Sequence, residues 1–318
     1  MLTVTRLRKN PKHFRAFTGL RLEEFDTLLQ AVEPVYLGQD RARKSRPDRK
    51  RAIGAGRHFE LAFADRLLMV IMYYRLYVTE PLLSYLFGLD PSSINRERNH
   101  RMVPALCEVL PMPARHEMGL VGSKAAAGSG GKRIDTLPEL LTRFPGLNEV
   151  LIDATEQPVP QPKDKTARRE RYSGKKKQHT LKTQATVTQT GLVLHATLHV
   201  PGSLHDLHLL RFSGVMHCLP PGTVARLDKG YEGVEEINPE INVQKPCKAY
   251  RNKPLTVFGW VYNRMQGKLR IAVEHAFARL KQFRALAGTY RGRVAHYDDC
   301  FGLICGLNNF RLLGRLAW

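Results

Sequence analysis

Three acids in this chain of 318 residues stand where a carboxylate could do more than solvate a surface. Asp153 closes the apolar run Val150-Leu151-Ile152, and Asp228 closes the run Thr223 to Leu227 ahead of Lys229-Gly230-Tyr231, where Gly230 permits a sharp exit. Acids at strand ends collect at one sheet edge. In open α/β sheets ligands bind beyond the carboxyl ends of parallel strands, so these two could share a divalent cation if their strands are neighbours. All-oxygen ligation suits Mg²⁺ or Mn²⁺ rather than zinc. The third acid is Glu274, which stands alone between Arg264 and Arg293 among eight bases. On a helical wheel it lies one turn from Arg270 and two from Lys281. Its carboxylate can therefore face the sheet edge while the two cations face a phosphate backbone. A plain helix ion pair with Arg270 explains the same residue without chemistry.

Other residues compete for these roles. Asp206 fits the capping box Ser203-x-x-Asp206 at the start of a helix from Leu207 to Phe212, which explains it locally. Glu156 lies only three residues beyond Asp153. His205 and His208 have a zinc-like spacing, but no cysteine stands near them. The five cysteines are scattered with no C-x-x-C pair and read as reduced, mostly buried thiols.

The elements that position these residues change character along the chain. Leu22, Phe25, Leu28, Leu29 and Val32 predict an amphipathic helix over Thr18–Val32. Residues 41–51 hold seven bases against Asp48 and predict a basic surface arm. Three helices follow between His58 and Leu106. Thr79 before Glu80-Pro81, and Asp90 before Pro91, place a capping oxygen ahead of a first-turn proline, and Gly88-Leu89 leaves only a tight turn between them. This is the order of a helix-turn-helix. Its last helix offers Ser92, Ser93, Asn95, Arg96 and Arg98 to base edges and phosphates, or else presents an ordinary solvated face.

Gly122 to Lys132, small and flexible, reads as an interdomain loop. Thr136-x-x-Glu139 starts a short helix beyond it. Strands then fall at Val150–Ile152, Leu181–Thr188, Val193–Val200, Thr223–Leu227 and Ile241–Gln244, with a helix from Ser203 and a long amphipathic helix around Val261 to Phe283. This is an α/β pattern with three strands leading. Between the first two strands, residues 163–177 carry eight bases against Asp164 and Glu170. Arg168, Arg169, Lys175, Lys176 and Lys177 predict a solvated, mobile loop that touches DNA.

The whole chain repeats this bias. Fifty Lys and Arg against 29 Asp and Glu give a net charge of +21, which favours a polyanionic partner. No apolar run nears the roughly 18 residues of a membrane span, and no secretory signal follows the basic N-terminus. No phosphate-binding G-x-x-x-x-G-K-[ST] loop is present, which argues against nucleotide hydrolysis.

Asp153-Ala154-Thr155-Glu156-Gln157-Pro158, Tyr172-Ser173-Gly174-Lys175-Lys176-Lys177, Pro201-Gly202-Ser203-Leu204-His205-Asp206, Leu227-Asp228-Lys229-Gly230-Tyr231 and Arg270-x3-Glu274-x6-Lys281 occur in that order. Together they resemble the DDE transposases of the bacterial insertion sequence five group, related to Harbinger elements. The resemblance covers nearly the whole chain. It implies an N-terminal helix and basic arm (1–57), a helix-turn-helix domain (58–121), a linker (122–147) and an RNase H-like α/β catalytic domain (148–318). It also implies that Asp153, Asp228 and Glu274 bind two Mg²⁺ or Mn²⁺ ions, while Arg270 and Lys281 touch DNA. The implied reaction is strand cleavage at element ends, followed by transfer of the 3′-hydroxyl into target DNA. It would be run by a homodimer in the bacterial cytoplasm, at the nucleoid, without ATP or membrane. A nuclease that stops at hydrolysis and a DNA-binding protein without catalysis are the alternatives. One departure is visible: the tyrosine often found three positions before the arginine is Gly267 here.

Overall fold

A computed structural model describes residues 1–45, 59–114, 148–250, 252 and 254–316. The interdomain loop, the Thr136 capping box and the arm beyond Ser45 lie outside the described residues. Short helices Val4–Arg8 (α1) and Pro11–Thr18 (α2) lead into α3, Leu22–Lys44. This helix runs well past Val32, so Arg41, Arg43 and Lys44 form its last turn rather than an arm. Cations suit that end of the helix dipole, and Asp40 pairs with both Arg43 and Lys44.

Helices Phe63–Leu76 (α4), Glu80–Phe87 (α5) and Pro91–Glu97 (α6) form the expected helix-turn-helix. Asp90 caps α6 by accepting from the Ser92 and Ser93 amides, and Gly88 closes α5 at φ +68°. Thr79 occupies the N-cap of α5, yet its side chain makes no capping bond there. Beyond Glu97 the helix widens into a π turn, Arg98–Met102, before α7, Val103–Val109. Pro104 has no N–H for the carbonyl four residues back, that of His100, and Arg43 Nη1 donates to that oxygen at 3.4 Å.

The sheet is mixed. Strand β1 (Glu149–Pro158) pairs antiparallel with β3 (Gln178–Val187), whose far edge takes β2 (Tyr172–Ser173), β4 (Val193–Ala196) and β5 (Val200–Pro201). On its other side β1 runs parallel to β6 (Val224–Arg226), and β6 runs parallel to β7 (Asn242–Gln244). The expected strand over Val193–Val200 is thus two pieces. The basic segment after β1 is not a loop throughout: Lys165–Arg171 form α8, capped by Asp164, which accepts from the Ala167 amide at 2.7 Å. Helices Asp206–Ser213 (α9), Val215–Cys218 (α10), Val257–Lys281 (α11), Arg284–Ala287 (α12) and Tyr297–Leu316 (α13) complete the chain.

Alternation along β1 sends Leu151 to one face and Val150 and Ile152 to the other. Leu151 joins a core that also contains Phe14, Phe25 and Leu67 from the N-terminal helices and Val273, Phe283 and Ile304 from the C-terminal ones. Val150 and Ile152 join a second core with Leu210, Leu227 and Tyr231. The helical and α/β segments therefore share apolar packing. Tyr77, at φ +53°, adds a polar joint, its hydroxyl accepting from the amides of Arg291 (2.7 Å) and Gly292 (3.2 Å). Cys107, Cys300 and Cys305 are buried, Cys218 is half-buried and Cys247 is exposed, none of them in a disulfide. No described helix is long and apolar enough to cross a membrane.

Candidate active site

The parallel register of β1 and β6 pairs Glu149 with Val224 and Leu151 with Arg226, an offset of 75 residues. Asp153 and Asp228 are separated by that same 75. Two residues beyond the last matched pair on each strand, they stand side by side. Strand β1 does not end at Asp153, as the sequence led us to expect. It outlasts its three-residue neighbour because β3 keeps pairing with it as far as Pro158. Asp153 therefore sits in mid-strand, where β6 has already turned away, while Asp228 lies just beyond its own strand.

Both carboxylates emerge on the face covered by α11. Arg226, inward on that face, donates to Gln266 of α11 at 2.9 Å. Two strand residues, about 6.6 Å, separate Arg226 from Asp228, and one helical turn, about 6 Å, separates Gln266 from Arg270. The next row is thus matched, and Arg270 Nη1 donates to Asp228 Oδ1 at 3.0 Å. Its Nη2 lies 3.9 Å from Asp153 Oδ2. One guanidinium bridges the two acids. This removes the plain Arg270–Glu274 ion pair as an account of Glu274, which is exposed one further turn along the same stripe. Among the described residues, no three His, Cys, Asp or Glu side chains are gathered to hold a metal ion.

Asp153 is the electrostatically stressed member. Burial raises its carboxyl above the ordinary value, and the charges of Asp228 and Asp206 push the same way, against the Ala154 amide and Arg270. Burial lowers the Lys281 ammonium, helped by the charge of Lys176 and opposed by Asp153. Lys281 thus lies within electrostatic reach of both Asp153 and Lys176.

Asp206 does not cap α9. His205 is the N-cap residue, its Nδ1 accepting from the Leu207 amide at 3.3 Å. That use of His205 also replaces the zinc reading of His205 and His208. Asp206 Oδ1 instead lies 2.8 Å from Lys182 Nζ, which donates to the Leu204 carbonyl and stands 3.8 Å from Glu156. Glu156 accepts from Thr180 Oγ1 at 2.9 Å. A Cβ at Gly202 would meet that hydroxyl at 1.9 Å, which explains glycine in Pro201-Gly202-Ser203. Below these acids Tyr231 is buried, its hydroxyl accepting from Gln184 Nε2 at 2.9 Å. The sequence reading missed Lys182 and Gln184, and gave Tyr231 no role beyond its place in a motif. A lone lysine inside an uncharged strand was the available signal for the first.

Of the residues expected to contact DNA, Arg96 and Ser92 are exposed on α6, Ser93 is half-buried, and Asn95 is half-buried and donates to Glu80 at 2.9 Å. Arg98 is 6% exposed, so it cannot lie on the solvent face with Arg96. One helical turn beyond buried Ile94, its amide bonded to the Ile94 carbonyl, it points inward, where it pairs with Glu80 at 2.9 Å and stacks 3.8 Å over the Tyr73 ring. Arg168 and Arg169 on α8 and Lys175, Lys176 and Lys177 after β2 are all exposed. Gly267 opens onto empty space.

Residues 152–309 match the family model of the DDE superfamily endonucleases, and residues 59–111 match the helix-turn-helix of DDE superfamily endonucleases. The chain is 30% identical over 301 residues, 95% of each chain, to a probable transposase for insertion sequence element IS702 of Microchaete diplosiphon. No solved structure matches it.

Proposed function

The chain belongs to the DDE superfamily, as an insertion-sequence transposase with an N-terminal helix-turn-helix, and from that premise we propose that it cuts DNA at the ends of its own element and joins the freed 3′-hydroxyl to target DNA. The observation that carries this reading is the convergence of Asp153 and Asp228 on Arg270 just beyond the last paired residues of two adjacent parallel strands. An antiparallel β1–β3–β4 unit extended by parallel β6 and β7 supports an RNase H-like catalytic domain.

The donor set fits divalent cations. Asp153 and Asp228 offer only oxygens, and a cation, the Arg270 guanidinium, already lies against both. Asp153, Asp228 and Glu274 would hold two Mg²⁺ or Mn²⁺ ions. Such ions, when bound, supply Lewis-acid stabilisation of the phosphate and a lowered pKa for the attacking hydroxyl. The protein's own part is positioning. Arg270 holds the acids in register, Lys281 and Lys176 attract the scissile strand, and Arg168, Arg169, Lys175 and Lys177 extend that attraction along the backbone. Ser92, Ser93, Asn95 and Arg96 present α6 to the element end. A homodimer would bring two such ends together.

The test is to incubate purified protein with Mg²⁺ and a duplex carrying candidate element ends, then sequence the products. Joined strands are expected, and Asp228→Asn should form none. Nicked but unjoined ends would reduce the activity to a nuclease, and no cleavage with intact DNA binding would leave a DNA-binding protein.

A further inference from the structure

Between α6 and residues 290–296 lies a polar cavity of about 460 Å³, lined among others by Asn95, Arg98, His100, Arg291, Arg293 and His296. We infer that it seats a phosphodiester of bound DNA, one that touches the helix-turn-helix and the α/β segment together. The inference rests on the DNA-binding reading above and adds a contact outside the reading helix.

Arg98 supplies the first argument. Its Nη2 donates to Glu80 and its Nε to Asn99 at 3.1 Å, yet its Nη1 is buried without a hydrogen-bond partner. Buried guanidinium N–H groups are seldom left so, and a phosphate oxygen is the acceptor that suits them. Charge supplies the second. Arg291 and Arg293 stand exposed at the cavity, and its one acid is Glu80, whose Oε1 is already taken by Asn95 and Arg98. The cavity therefore presents uncompensated positive charge.

Connectivity is the third argument. Residues 290–296 lead into α13 and are tied to the end of α4, where Tyr77 accepts from two of their amides, its carbonyl accepts from Arg291, and Arg291 stacks 4.5 Å over its ring. A phosphate held here fixes the α/β segment against DNA that α6 is reading.

The experiment uses full-length wild type, Arg293→Gln and Arg98→Lys with a random-sequence 30-base-pair duplex, reading anisotropy across a salt series. Losing one phosphate contact should reduce the slope of log K against log salt by about 0.9 in Arg293→Gln. Arg98→Lys keeps a cation for Glu80 but lacks the free nitrogen, so it should bind more weakly. On a second duplex carrying a candidate element end, which fixes the register, a methylphosphonate scan should find one phosphate position whose neutralisation weakens wild type but not Arg293→Gln. An unchanged slope and no such position would overturn the inference, while steep wild-type binding preserves the transposase reading. Wild type without salt-dependent DNA binding would defeat that reading instead. Stabilisation of wild type, but not Arg293→Gln, by inorganic phosphate with an unchanged DNA slope would make this a free-anion site and overturn the DNA assignment.

Discussion

Lys182 Nζ lies 2.8 Å from Asp206 Oδ1, and the same ammonium stands 3.8 Å from Glu156. With the Leu204 carbonyl as a third partner, this one buried cation pins the entry of α9 onto β3 and holds two carboxylates, one of which, Asp206, acts on Asp153. Removing it leaves both unpaired. Lys182→Gln should cost about 3 kcal/mol, toward the low end for a broken buried pair because Asp206 is 30% exposed. Asp206→Asn should cost less, since Lys182 keeps its other partners. Urea denaturation of both variants checks the order, and a milder Lys182→Gln would show that the ammonium is not the anchor.

The Asp153 carboxyl is raised above its usual 3.8. A raised folded-state value means that its contribution to stability is fully present below about pH 3.8 and lost as pH rises through the higher folded value. Asp153→Asn should remove that loss, so its melting temperature should gain on wild type as pH rises through this window. Mg²⁺ or Mn²⁺ should raise the melting temperature of wild type and not of the variant. Parallel pH curves would contradict the stressed-carboxylate picture.

Removing Asp206's charge takes away one of the influences that raise Asp153, so Asp206→Asn should move the acid side of the cleavage profile to lower pH. A profile that stays in place would mean that Asp206 does not act on Asp153 during cleavage.

Glu274 is exposed on the stripe that follows Gln266 and Arg270. Glu274→Gln should change stability by no more than about 0.5 kcal/mol, yet reduce metal-dependent cleavage by orders of magnitude if it completes the carboxylate set. Calorimetry and a cleavage assay on one preparation separate the two effects. Full activity would remove Glu274 from the chemistry.

Arg96 and Arg98 should part company. Arg96→Ala, on the solvent face, should reduce discrimination of element ends by roughly 1–3 kcal/mol per lost base contact with the fold intact. Arg98→Ala leaves Glu80 without its cation and Asn99 without its donor and should lose about 3 kcal/mol of stability. Thermal melts beside binding to specific and random duplexes would show it. Equal stability of the two variants would contradict the buried pairing.

Read alone, the sequence determined whatever depends on neighbours within a turn: the Asp90 cap, the Gly88 stop, the helical period of α11, and the basic charge facing a polyanion. It also carried the interval of 75 between Asp153 and Asp228, although only the β1–β6 register showed that this interval places them side by side. Tertiary structure decided the partners of charged groups. Asp206 has the spacing of a cap, but Lys182, on strand β3, outcompetes a backbone amide for its carboxylate. Arg98 reads as a DNA contact, but it shares the helix face of buried Ile94, and packing of that face on α4 brings it over Tyr73. Arg270 could have paired with Glu274 one turn away and instead reaches Asp228, 42 residues back. Local rules count residues along one element, whereas an ion pair forms where packing removes water and two elements match their spacing, and that matching exists only in the folded chain.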